Sequence, residues 1–138
     1  MGTAVKGKDL LIYIHDGNDP GEMVEVPYQG DATYNPGRSS NISVTKNGKH
    51  PYQTEEGATI TFSIEKERPA LAVHTRLRTL SATGAEVAVE YRDKNSGGES
   101  YSGTAIITLG EEKSGVEGVV ETGVTVAFVD DPVPGVVA

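Results

Sequence analysis

Apolar and polar residues alternate along most of the chain, as in strands that bury one face. The clearest alternation spans residues 57–66, where Ile60, Phe62 and Ile64 fall on one side and hydroxyl residues on the other. The pattern predicts about seven strands, the first two joined as a hairpin by a turn-rich segment. Besides residues 57–66, strand-like runs occupy residues 9–15, 22–28, 42–45, 87–91, 101–109 and 119–129.

One segment has helical rather than strand periodicity. Its apolar stripe consists of Ala70, Val73, Leu77 and Leu80. Pro69 suits a first helical turn, and Gly84 can adopt the left-handed conformation that ends a helix. We therefore predict one α-helix over about residues 69–83. His74 lies beside the stripe, so we expect it to pack against the core rather than to act in chemistry.

Alternation weakens between residues 30 and 57, where turn signals flank one short strand-like run. A polar segment of this length is unusual in a compact domain, and such segments tend to be functional. We therefore expect a long loop over about residues 37–56 and a functional surface on it.

The predicted elements form a mainly β domain, a β-sandwich or partly closed barrel flanked by the one helix. We expect a single domain over residues 1–138, with an N-terminal arm at 1–7 and a C-terminal arm at 132–138. Pro132 and Pro134 are expected to end the sheet, because proline donates no hydrogen bond to a ladder.

The formal net charge of −8 is unevenly distributed. Residues 86–131 hold ten acidic residues against three basic ones, whereas residues 32–54 contain no acid. The distribution favours a basic loop and an acidic half that could meet in neighbouring copies, although an ordinary solvated surface explains it too. It does not indicate a clustered basic face of the kind that binds nucleic acid.

Several catalytic and metal-binding classes are excluded or disfavoured. The absence of cysteine excludes disulfides, thiolate metal sites and cysteine nucleophiles. His15, His50 and His74 are far apart in sequence, and the chain has no nucleophile elbow, zinc motif or phosphate-binding loop. We therefore expect a protein that is not an enzyme and that uses neither cofactor nor metal.

Four segments resemble successive blocks of the major tail tube proteins of long-tailed bacteriophages and gene-transfer particles. These segments are residues 7–12, 43–49, 57–64 and 103–124. The resemblance covers most of the chain as an order of elements. It implies a β-sandwich with one helix, assembled as stacked, probably hexameric, rings around a hollow tube for DNA.

The resemblance also implies partners and a location. The partners are other copies of the chain, a tail tip or initiator protein and a tail terminator, while DNA passes without specific binding and no membrane is involved. The protein would be made in the host cytoplasm and would reside in the virion tail.

By the same resemblance, the long loop reaches an adjacent subunit or ring. Its candidate contact residues are Arg38, Lys46, Asn47, Lys49 and Tyr52. Acids on the wall of the bore would keep DNA from binding it, since exposed charges act over about 8 Å in physiological salt. The candidate lumen acids, chosen because they fall on or beside strands, are Glu90, Glu99 and Glu121.

The main alternative is a β-sandwich recognition or decoration module for carbohydrate binding or adhesion. Such a module would also lack catalytic motifs, but sugar-binding surfaces usually present aromatic platforms. This chain has no tryptophan and six scattered tyrosines. A small hydrolase using paired carboxylates is a third alternative, and the carboxylate pairs here fall in polar turns.

Overall fold

A computed structural model describes residues 4–18, 21–55, 57–66, 68–69, 71–114, 116 and 118–137. Residues 1–3 of the expected N-terminal arm lie outside the described residues. The described ranges contain one α-helix, α1 (Ala72–Thr83), and a short 3-10 turn at Gly7–Asp9. Their strands are β1 (Leu10–His15), β2 (Met23–Glu25), β3 (Thr33–Asn35), β4 (Arg38–Thr45), β5 (Gly48–Glu55), β6 (Thr59–Glu65), β7 (Glu86–Asp93), β8 (Glu99–Lys113), β9 (Glu121–Phe128) and β10 (Val133–Val136).

Eight strands form one antiparallel sheet in the order β2-β1-β7-β8-β9-β6-β3, with β10 paired to β8. The sheet curls until β3 faces β7 and β8 across the core. There the ring of Tyr34 lies 5.0 Å from that of Tyr101 and 5.9 Å from that of Tyr91. The mainly β prediction is confirmed, and of its two forms the structure is the partly closed barrel.

The core lies between the inner face of this sheet and the helix. Ile60, Phe62 and Ile64 are buried on that face as the alternation predicted. Leu77 and Leu80 of α1 pack against the same cluster. Each fully buried leucine or isoleucine stabilises the fold by about 1.5–3 kcal/mol. The opposite side of the sheet carries no helix, and we call it the helix-free face.

The helix packs against the sheet, and near its C-terminal end Ser81 Oγ accepts a hydrogen bond from the Leu109 amide at 2.9 Å. Its predicted start at residue 69 is early, because Pro69 lies in a bend and Leu71 has an extended backbone. The predicted packing role of His74 is confirmed, since its Nε2 lies 2.7 Å from the carbonyl oxygen of Pro27. The helix ends at Gly84, which is left-handed as expected. Ala70 of the predicted stripe lies outside the described residues.

The long loop expected over residues 37–56 is a regular two-stranded hairpin, formed by β4 and β5. Its two strands have eight residues each and pair from Arg38↔Glu55 to Thr45↔Gly48. Sequence alternation was weak here because the hairpin buries little of either face. We call the β4–β5 pair the basic hairpin.

The expectation that prolines keep the C-terminal tail out of the sheet is wrong. Residues 133–136 pair antiparallel with the first residues of β8, with Pro134 opposite Tyr101. Proline is compatible with an edge strand, where a missing N–H can face away from the partner. Strands β9 and β10 thus follow one another along β8, so a deletion of residues 132–138 would remove part of the sheet.

Gln29 closes the barrel on its open side. Its Oε1 accepts a hydrogen bond from the Ile12 amide at 3.0 Å, and its Nε2 donates to the carbonyls of Ile12 and Val26 at 3.2 and 2.9 Å. Its backbone bridges to Ile64 of β6. One residue therefore links β1 to β6, which are separated in the sheet by three other strands.

We expect Gln29→Ala to lower the free energy of unfolding by about 2 kcal/mol, because it leaves the partly buried amide and carbonyl of Ile12 without that partner. The measurement is urea unfolding followed by circular dichroism. Gln53→Ala, at an exposed position of the basic hairpin, is the control and should change stability by less than about 0.5 kcal/mol. Equal effects of the two substitutions would contradict the closing role of Gln29.

Candidate assembly surfaces

The basic hairpin exposes apolar side chains on both of its faces. Residues opposite one another in an antiparallel pair share a face, so Ile42 lies with Pro51, and Val44 lies with Lys49. Ile42 is 61% exposed and Val44 is 73% exposed. Tyr52, half exposed, lies on the other face opposite Asn41. A two-stranded hairpin is marginally stable alone in water, so this surface favours contact with another molecule.

The base of the hairpin is held to the end of the sheet. Arg38 Nη2 donates to Asp131 Oδ2 at 3.0 Å, between side chains that are 41% and 52% exposed. Next to it, the backbone of Gly37 packs against that of Gly57, just before β6. The structure therefore places Arg38 at the base, apart from the other predicted contact residues.

Lys46, Asn47 and Lys49 come together at the tip of the hairpin. The Asn47 amide donates to the Thr45 hydroxyl at 3.3 Å, and that hydroxyl donates to the Gly48 carbonyl at 3.0 Å. These contacts fix the turn, and all three predicted residues are exposed. The tip is thus a hydrogen-bonded, positively charged turn beside the exposed Val44.

The helix-free face carries a different chemistry. Its central strands present threonines at Thr59, Thr61, Thr104, Thr108 and Thr125. Its charged residues are Glu25, Glu65, Glu86, Glu90, Glu121, Arg92 and Lys113. Acids therefore outnumber bases on a largely hydrophilic surface that is continuous over the sheet.

Two of the three predicted lumen acids lie on this face. Glu90 is held there by Arg92, whose Nη1 donates to Glu90 Oε1 at 3.1 Å and whose guanidinium stacks 4.0 Å from the centre of the Tyr13 ring. Glu121 lies opposite Glu65 on β6. Glu99 shares the other side of β8 with Tyr101, whose hydroxyl is 3.4 Å from its carboxylate.

The end of the sheet where β6 ends and β9 begins holds an ion pair that was not predicted from the sequence. Lys66 Nζ lies 2.6 Å from Glu112 Oε1, which also accepts from the Thr122 hydroxyl at 3.2 Å. The hydrogen bond from Lys66 lowers the pKa of Glu112, and the Thr122 hydroxyl adds to this effect. The chain offered no signal for this pair, because the β-bulge between Leu109 and Glu112 sets the orientation of Glu112.

We expect Lys66→Met to raise the pKa of Glu112 towards its ordinary value, as read from a side-chain carboxyl NMR titration. Because the native pKa is lowered, the pair stabilises the fold at neutral pH, and that contribution is lost as pH falls through the lowered pKa. The stability difference between parent and variant should therefore shrink in acid.

Lys113→Met is the matched control, since Lys113 lies one residue further along β8 and faces Glu121. It should leave the pKa of Glu112 almost unchanged. An equal rise in both variants would mean that general charge, and not the Lys66 contact, lowers the pKa.

Neither a metal site nor a sugar platform stands out in the described part of the chain. No group of three or more histidine, aspartate or glutamate side chains in it could hold a metal ion. A cavity of about 550 Å³ beside β1 has Tyr91 as the one aromatic residue of its lining, which also includes Lys8, Gln29 and Asp31. The described helix is too short and polar to cross a bilayer, and no other described helix could do so.

The fold is similar to that of solved tail structures. The SPP1 tail tube, determined by solid-state NMR and cryo-EM, superposes with a TM-score of 0.73 and 14% identity, over 96% of this chain and 80% of that chain. The tail of an empty gene transfer agent particle, with C6 symmetry, gives 0.70 and 14%, over 98% of this chain and 100% of the other. The native gene transfer agent virion gives 0.63 and 14% over the same shares.

These matches span nearly the whole chain. No protein-family model matches the sequence, and no curated protein is significantly similar to it. The resemblance inferred from the sequence blocks is therefore confirmed at the level of the fold, which is shared at low sequence identity.

Proposed function

We propose that this protein is the structural subunit of a tail tube. Copies form hexameric rings, and the rings stack into a hollow tube through which DNA is delivered. The observation that carries the proposal is the match of the whole fold to two tail structures, one of them with C6 symmetry. The role is structural, so the chain needs neither catalytic residues nor a cofactor.

The basic hairpin is the element that reaches a neighbouring copy. Its contact residues are Lys46, Asn47 and Lys49 at the tip and Tyr52 on one face, while Arg38 fixes the base through Asp131. A contact between two different patches closes into a ring when its rotation closes, and it builds a stack when it adds a rise. The exposed Ile42 and Val44 supply apolar area that a neighbour can cover.

The helix-free face lines the bore. Glu90 and Glu121 were predicted for that wall, and Glu65 and Glu86 join them on the same face. Exposed charges act over about 8 Å in physiological salt, so only acids on the wall itself repel passing phosphates. Glu99 lies on the other side of β8 and has no place in this lining.

The subunit is asymmetric, and this asymmetry accounts for a tip or initiator protein and a terminator as further partners. A head-to-tail stack has two different ends, so one end needs a tip or initiator protein and the other needs a terminator. The tube resides in the virion tail after its subunits are made in the host cytoplasm, and it involves no membrane.

Negative-stain electron microscopy of the purified protein over a concentration series tests the proposal, with light scattering on the same samples. We expect rings or hollow tubes of constant width above a threshold concentration. A protein that stays monomeric throughout and binds an immobilised glycan would support the recognition module instead.

A further inference from the structure

The tip of the basic hairpin contains a pair of residues whose own chemistry can modify it. Asn47 is followed by Gly48, and none of the other four asparagines of the chain precedes a glycine. In such a pair the backbone nitrogen of the glycine can attack the side-chain amide carbon of the asparagine, because no Cβ crowds that nitrogen. The pair is therefore a candidate site of deamidation, a reaction that needs neither an enzyme nor a cofactor.

The structure leaves room for this attack. Asn47 is exposed, and a Cβ built on Gly48 would meet nothing within 4 Å. Gly48 has φ +138°, a backbone conformation that residues with a side chain rarely adopt. Its pairing with Thr45 is the last of the hairpin, so pairing opens first at this turn. Opening of that pair lets the Gly48 nitrogen reach the side-chain amide of Asn47.

The charges around the pair favour the reaction. Lys46 and Lys49 flank it directly, and residues 32–54 contain no acid. Negative charge develops first on the attacking nitrogen and then on the oxygen of the amide carbon. Cations on the neighbouring residues stabilise both, because opposite charges attract at short range even in water.

We propose that Asn47 deamidates through a cyclic imide with Gly48, and that this modification weakens assembly by subunits that have aged before meeting a neighbour. The Gly48 nitrogen loses its proton to solvent and bonds to Cγ of Asn47. The bond from Cγ to Nδ2 breaks, and ammonia leaves with a proton taken from water. A water molecule then opens the imide at one of its two carbonyls, which gives aspartate or isoaspartate.

Both products alter the tip. The new carboxylate lies between Lys46 and Lys49, so the formal charge of residues 39–54 falls from two positive charges to one. Isoaspartate also lengthens the main chain inside the turn that the Thr45 hydroxyl fixes. The effect on assembly rests on the proposed contact of the hairpin with a neighbouring copy, whereas the modification itself does not.

Asn95 is the matched internal control. It lies exposed in the turn between β7 and β8, and its backbone amide donates to Asp93 Oδ1 at 2.9 Å. The Asn47 amide likewise donates to the hydroxyl of the residue two positions earlier, at 3.3 Å. The two asparagines thus share a turn setting, but Asn95 is followed by Ser96, whose side chain crowds the attacking nitrogen.

Ageing of the purified protein at mildly alkaline pH, followed by peptide mass spectrometry, tests the modification. A glutamate-specific protease leaves residues 26–55 and 91–99 as separate peptides, so both asparagines are followed in one digest. We expect Asn47 to convert at least about tenfold faster than Asn95, which corresponds to a barrier lower by about 1.4 kcal/mol. Conversion should slow in mild acid, where the nitrogen keeps its proton. Equal rates at the two asparagines would overturn the site.

The threshold concentration for assembly, measured by light scattering before and after ageing, tests the consequence. We expect a threshold about two- to fivefold higher in the aged protein, since one exposed charge is lost from the tip. Asn47→Gln protein should show no such change, because its longer side chain does not form the five-membered ring. An unchanged threshold in fully converted protein would overturn the effect on assembly. If fresh protein forms no tubes, the tube function fails, and the comparison of Asn47 with Asn95 still decides the modification.

Discussion

Protein carrying both Lys46→Glu and Lys49→Glu should stay unassembled at concentrations where the parent forms tubes. Each lysine loses an attraction of up to about 1 kcal/mol and gains a repulsion of similar size. We therefore expect a cost of about 1–2 kcal/mol per subunit, well inside the upper bound of about 4 kcal/mol for two lysines, and this cost raises the threshold concentration roughly five- to thirtyfold. Light scattering over a concentration series measures this threshold.

The monomer should be unaffected, because both lysines are exposed at the hairpin tip and surface changes usually stay within about 0.5 kcal/mol. Arg78→Glu with Lys94→Glu makes the same change in net charge elsewhere on the surface and is the control. Normal tubes from the hairpin variant would disprove its role in assembly. Equal loss in both variants would point to net charge alone.

Gly37→Ala should be the most destabilising single substitution at the base of the hairpin. Gly37 has φ +74°, and a Cβ there would clash with the carbonyl oxygen of Gly57. The backbone of β4 or of the segment before β6 would have to move. We expect the free energy of unfolding to fall by about 3 kcal/mol or more, as measured by denaturant titration.

The loss has two causes, the left-handed backbone conformation and the clash with Gly57, and Gly84→Ala separates them. Gly84 has φ +68°, nearly the same backbone conformation, but a Cβ there would meet nothing within 4 Å. Its cost is therefore the conformational cost alone, about 1 kcal/mol. If the two variants lose the same stability, the close approach of Gly37 to Gly57 is not what holds the hairpin.

Most of the sheet could be predicted because its strands have one buried face. Residues 57–66 and 119–129 show this best, since their alternating apolar residues are the ones that the structure buries. The helix was predicted for the same reason, through Leu77 and Leu80. Its start was placed three residues early, because Pro69 is as compatible with the approach to a helix as with its first turn.

The remaining features depend on partners far away in sequence. The basic hairpin has no core face, so its alternation carried little signal. β10 was missed because the proline rule excludes central strands and not edge strands such as this one. The closing contacts of Gln29 involve Ile12 and Ile64, and no local pattern identifies such a side chain. The lumen acids could be proposed because they are strand residues. Which side of the sheet each acid faces depends on how the strands pair, and the sequence alone does not show that pairing.

The strands that connect the basic hairpin to the end of the sheet that holds the Lys66–Glu112 pair also determine how the subunit responds to force. A pull applied between those two ends acts along β6 and β9, parallel to the strands. It shears the seven pairs between them together rather than separating them one at a time. A subunit loaded in this direction resists extension far better than one peeled from the edge, and single-molecule pulling through the two ends should give a higher rupture force than pulling through the termini of β8 and β10.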